Sequence, residues 1–159
     1  METDSSAVLF SIARDCDEWI ENLAAEARLI ARRFGTEMYR ARVYSESTSS
    51  WFRYAVKVRF KRGDGRTLHI TWNRMTWKKR RGGDHRYFAV HIRKGKGLRY
   101  RTRDFDPVSD EERALIEECE NEFALIRRDI QVIGKLRRTI AYALKAIEKE
   151  CETSAATEF

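Results

Sequence analysis

A chain of 159 residues that is 42% hydrophobic and 36% charged has room for one domain, with a small core and long solvated helices. The strong periodicity of its apolar residues excludes full disorder, and no apolar run nears the roughly 18 residues a membrane helix needs. Its net charge is +7, and that charge is far from evenly spread.

Trp51 to Arg103 holds 18 Lys/Arg against two carboxylates, Asp64 and Asp84, a net of +16, while the rest of the chain nets −9. A field of one sign on one face attracts a polyanion. The N-terminal Met1-Glu2-Thr3-Asp4 is acidic and lacks an apolar h-region, so no signal peptide is expected. Cys16, Cys119 and Cys151 lie far apart without a C-x-x-C pair, which argues against a zinc site or a disulfide framework. A cytoplasmic protein with reduced thiols and no metal or cofactor is the simplest fit.

Residues 6–34 read as a helix. Leu9, Ile12, Cys16, Trp19, Leu23, Ala27, Ile30 and Phe34 recur every three or four residues on one face, and Gly35 supplies a C-terminal stop. Met38 to Tyr44 admits a strand, and Ser45 to Ser50 is a polar loop. In the next strand Phe52, Tyr54, Val56, Val58 and Phe60 point one way, and Arg53, Ala55, Lys57 and Arg59 the other. Gly63-Asp64-Gly65 turns the chain. Leu68, Ile70 and Trp72 then face opposite Thr67, His69, Thr71 and Asn73. After Asn73 the apolar phase moves to Met75 and Trp77, which predicts a bulge near Asn73-Arg74. A basic loop, 78–83, leads to a third strand in which Phe88, Val90 and Ile92 alternate with Tyr87, Ala89, His91 and Arg93. Arg99, Arg101 and Arg103 alternate with Tyr100 and Thr102 as the start of a fourth.

Ser109-Asp110-Glu111-Glu112 fits a capping box. It opens a long helix over 109–151 whose apolar positions, from Ile116 through Phe123, Ile126, Ile130, Ile133 and Ile140 to Cys151, hold a heptad-like spacing. A first helix ending at Phe34 is too short to cover that seam. Either the long helix folds back at Gly134, or its surplus pairs with a second copy in a homodimer. Residues 152–159 read as a frayed tail. The predicted architecture is α+β: a basic antiparallel meander of three or four strands over 38–103, flanked by an N-terminal helix and a coiled-coil-like C-terminal helix or helical hairpin.

Catalysis is argued against. Phosphodiester chemistry usually needs clustered carboxylates for metal, or His with a nucleophile, and here Asp64 and Asp84 sit in turns where Asp serves the backbone. His69 and His91, with Tyr87 near, fall on the polar face and suit phosphate contact better than a catalytic pair. His85 has no evident partner, and Gly95-Lys96-Gly97 lacks the P-loop spacing. Binding is better supported. Arg53, Lys57, Arg59, Arg66, Arg74, Lys78, Lys79, Arg80, Arg81, Arg93, Lys94 and Lys96 are the candidate nucleic-acid contacts, most of them to phosphate. Asn73, Arg74, Arg80 and Arg81 are candidates for base edges, and Trp51, Trp77 and Tyr87 for stacking on single strands.

The layout resembles the MobI family of conjugative-transfer proteins. The likeness rests on Trp72, Asn73, the run Arg93-Lys94-Gly95-Lys96-Gly97, Tyr100 and Phe105, then Glu118, Glu122, Phe123 and Arg127. The resemblance implies an auxiliary factor that assists a relaxase at the origin of transfer without nicking the strand itself, and it assigns no contact residue. Its DNA would be duplex or partly single-stranded. Two other classes fit the same residues: a protein-interaction adaptor working through Ile126, Ile130 and Ile133 of the heptad helix, and an RNA-binding sheet.

Overall fold

A computed structural model of the chain describes residues 2–44, 52–61, 67–79, 82–83, 85–106 and 108–157. The N-terminal stripe folds as helix α1 over Glu2–Tyr44. It runs straight through Gly35 and takes in residues 38–44, so neither the expected stop nor the expected strand occurs. A mid-helix glycine costs only about 1 kcal/mol, which a helix of 43 residues absorbs. Phe34 is buried, and Ala41 and Tyr44 line a groove with Phe52, Ala114 and Leu115. An i,i+3 pair, Arg40 to Glu37 at 2.7 Å, braces the same turn.

The C-terminal helix, α2, spans Asp110–Thr157 without a break at Gly134. Half of the predicted capping box forms: Ser109 Oγ accepts the Glu112 amide at 3.2 Å. The Glu112 carboxylate turns elsewhere, as described below. At about 1.5 Å per residue, α2 is about 70 Å long, and it lies antiparallel to α1. Arg33 pairs with Glu118 and Glu122 at one end of the seam, and Asp17 with Arg137 at 2.9 Å at the other. Cys16, Leu23, Ile30 and Phe34 of α1 share a buried core with Cys119, Ile126, Ile133 and Ile140 of α2. The helical hairpin is thus made by the two helices together. The extra length of α1 covers the seam that had suggested a fold-back or a second copy. Ile126 and Ile133 are buried in the seam between Asp17 and Arg33 of α1 and the facing part of α2, which removes them as an adaptor surface.

Three strands, β1 (Tyr54–Phe60), β2 (Leu68–Lys79) and β3 (His85–His91), form one antiparallel sheet in the order β1-β2-β3. Alternation places Tyr54, Val56, Val58 and Phe60 beside Trp72, Ile70 and Leu68 on the helix side. Trp72 is the hub of that side. Its indole meets Phe34 at 4.9 Å, Phe105 at 5.6 Å and Phe123 at 6.2 Å, all edge-on, the geometry aromatic quadrupoles favour. No bulge interrupts β2, whose pairing runs one-for-one through Asn73 and Arg74 on both edges. The apolar phase shifts because the burial ends. Beyond Trp72, Arg74, Met75 and Thr76 are only partly buried and lie outside the core, and Phe88 and Val90 stay 43% and 45% exposed. Among the described residues no fourth strand follows. The chain bends, makes a single 3-10 turn at Thr102–Asp104, and gives the Tyr100 amide to α2 instead of to a ladder.

Candidate nucleic-acid interface

The sheet is held to α2 by two carboxylates that reach it from the helix. Glu120 lies on the phase of Ile116, Phe123 and Arg127 and is buried with them. Its Oε1 accepts Trp72 Nε1 at 2.6 Å and its Oε2 the Tyr100 amide at 2.9 Å. Arg127 closes the site by donating to both Glu120 oxygens at 3.0 Å, and also to the carbonyls of Leu98 and Ile70. Its guanidinium lies over the Tyr100 and Phe123 rings. A bidentate, fully surrounded pair of this kind fixes geometry more than it adds stability. Nearer the N-terminus of α2, Glu112 Oε1 accepts the Arg53 and Tyr54 amides at 2.6 and 3.1 Å. Burial pushes its carboxyl up to about 7, against the lowering effect of those amides. The sequence reading missed both anchors, because an acidic first third of a helix looks like a solvated face. The available signal was their spacing: 112, 116, 120, 123 and 127 share one side of the helix.

With one side anchored, alternation sends Arg53, Lys57 and Arg59 to the other side, where all three are exposed. Across the ladder Lys57 stands beside Thr71, Arg59 beside His69, and Ala55 beside Asn73 and then His91. A neutral central strip is therefore flanked by Lys57 and Arg59 on one edge and by His91 and the exposed Arg93 on the other. Lys96, also exposed, sits in the loop that follows. Among the described residues, none of Arg53, Lys57, Arg59, Arg93 or Lys96 is in an ion pair; the pairs engage the helices, Arg74 and Arg127.

β3 covers only the Asn73–Lys79 part of β2. Below it a groove of about 390 Å³ opens along the β2 edge, lined by His69, His91, Arg93, Lys94, Tyr100 and Arg127. Both histidines face this groove, although His91 pairs with Asn73 and not with His69.

Two candidate contacts have other roles. Arg74 shares the face of Tyr54 and Trp72 and pairs with Asp106. Lys94 is half-buried and donates to the carbonyls of Gly97 and Gly95; Gly97, at φ 123, takes a backbone conformation that suits glycine. Desolvation, followed by the Arg127 charge, lowers the Lys94 pKa. Lys78 and Lys79 end β2 in register with Arg86 and His85. Arg66, Arg80 and Arg81 lie outside the described residues, as does Trp51.

A family model described as MobI protein matches residues 23–141. No curated protein and no solved structure matches the chain. The matched span runs from within α1, through the whole sheet, to the far side of Gly134. It includes Trp72, Tyr100, Phe105, Phe123 and Arg127, which meet in the anchored core described above.

Proposed function

The chain belongs to the MobI family, and from that premise we propose that it is a DNA-binding auxiliary factor of conjugative mobilization, acting in the cytoplasm at the origin of transfer beside a relaxase. One observation carries the reading: an exposed cationic face, Arg53, Lys57 and Arg59 with Arg93 and Lys96, free of ion pairs among the described residues, on a sheet whose other side is fastened to the helices. Cations left unpaired on a rigid surface are free to displace counterions from a phosphate backbone. Neutralising five phosphates gives a slope of about −4 to −5 in log K against log salt. On this reading the chain supplies affinity and position, and the relaxase supplies the chemistry.

Changing Arg53, Lys57 and Arg59 together to Glu tests it. The gel shift with duplex or partly melted DNA should disappear while the far-UV spectrum stays intact. Unchanged binding overturns the reading.

A protein-contact role for the helices is favoured by a separate observation. Trp19, Leu29, Leu125 and Val132 are each more than half exposed and stand outside the seam. We assign the relaxase contact to these exposed helix faces, in place of the buried Ile126 and Ile133.

A further inference from the structure

We propose that the groove beside the open edge of β2 holds unpaired nucleotides, so that the DNA this chain prefers is a partly melted duplex; the site rests on the DNA-binding function above. The lining includes His69, Thr71, His91, Arg93, Lys94 and Arg127 and no carboxylate. Arg127 is already matched by Glu120, so the charge left over belongs to Arg93 and Lys94. Neither has a carboxylate partner among the described residues. Lys94 is half-buried, and an arriving anion would offset the desolvation that lowers its pKa. The volume of about 390 Å³ falls among clefts that hold small ligands, about 300–1,000 Å³, a size that suits a nucleotide.

Position decides which nucleotides enter. Cross-strand pairing sets His69 beside Arg59 and Thr71 beside Lys57, so the groove borders the cationic face one strand away, about 5 Å. A backbone held on Lys57 and Arg59 turns a base over the β2 edge only where that base has left its stack. Asn73, the partner of His91, lies about 14 Å along β2 from His69 at roughly 3.4 Å per residue. The two imidazoles therefore stand toward opposite ends of the groove. Ile92 still bonds the Trp72 carbonyl, so alternation keeps Arg93 on the side of His91, where it meets the phosphate between two bases. Histidine rings are stacking platforms for unpaired bases, and every base offers a π-face, so no sequence need be read. A peptide strand is the other ligand that an uncovered edge invites. Two acceptors are already taken there, the Ile70 carbonyl by Arg127 at 3.3 Å and the Trp72 carbonyl by the Ile92 amide at 3.0 Å, which favours the nucleotide.

The test compares, by fluorescence anisotropy at one salt concentration, a plain duplex and the same duplex with a short run of central mismatches that opens a bubble. The full chain should bind the bubble at least about fivefold more tightly, the effect of stacking a single base. The variant His69→Ala/His91→Ala changes no core residue and should bind the two DNAs equally. A second measurement needs no variant: 5-iodouracil placed in the bubble should crosslink, on irradiation, to peptides that hold His69 or His91. Equal binding of both DNAs by the full chain overturns the nucleotide site, leaves the DNA-binding reading standing and leaves the open edge to a peptide strand. A preference that persists in the variant, or crosslinks confined to peptides outside the groove, overturns the groove as its source. If the full chain binds neither DNA, the DNA-binding reading itself fails.

Discussion

The two sides of the sheet treat the same kind of residue in opposite ways. Arg127 on the helix side is buried, with Glu120 and two carbonyls taking its protons. Arg53, Lys57 and Arg59 on the other side are exposed, with no carboxylate paired to them among the described residues. A buried cation must be satisfied in the fold or the fold fails. A cation left to solvent contributes little to stability and remains available to a ligand. Charges of the first kind should therefore show in unfolding experiments, and those of the second in binding experiments.

The largest effect should come from Glu120→Ala. It strands Arg127 in the interior and removes the acceptor of Trp72 and Tyr100, a loss of about 3–5 kcal/mol read by urea unfolding. Glu120→Gln keeps one acceptor oxygen, for either Trp72 or the Tyr100 amide, and should cost less. Next comes Glu112. Its folded pKa of about 7 is raised above the ordinary 4.5, so the protonated form is the one the fold prefers. That contribution is complete below pH 4.5 and is lost as pH rises through 7, about 3 kcal/mol in all. Glu112→Gln should flatten this decline, and an unfolding series from pH 4.5 to pH 8 on both proteins would show it. By contrast, Lys57→Ala with Arg59→Ala should change stability by no more than about 0.5 kcal/mol while weakening DNA binding. The exposed pair of Arg33 with Glu122 should be worth under about 1 kcal/mol in an Arg33→Ala variant. A last change has the opposite sign. Gly35→Ala puts a methyl into open space within a helix and should stabilise by up to about 1 kcal/mol, visible as a raised melting temperature.

Much of this contrast is legible in the sequence. β1 alternates cleanly, since one side packs on the core along its whole length, and this alternation assigns Arg53, Lys57 and Arg59 to the outer face. The stripe of α2 reads correctly for the same reason. Gly35 misleads because a local preference worth about 1 kcal/mol yields to the contacts that α1 makes with the start of α2. The phase change after Trp72 reads as a bulge when every strand is assumed to have a core beneath it; Phe88 and Val90 show that this one does not. Arg74 looks equivalent to its basic neighbours, and only its register opposite Tyr54 reveals that it belongs to the other side, with Asp106. Glu112 and Glu120 are the least legible, because a buried acceptor and a solvated acid are the same letter, and only the three-dimensional position of the Arg53, Tyr54 and Tyr100 amides separates them.

The most direct measurement is the salt dependence of duplex binding by fluorescence anisotropy, made on the intact chain and on the Arg53→Ala/Lys57→Ala/Arg59→Ala variant. The outer face as described gives a slope of about −4 to −5 for the intact chain, reduced by about 3 in the variant, with unfolding curves that superimpose. An unchanged slope in the variant, or a binding constant indifferent to salt in the intact chain, would contradict it.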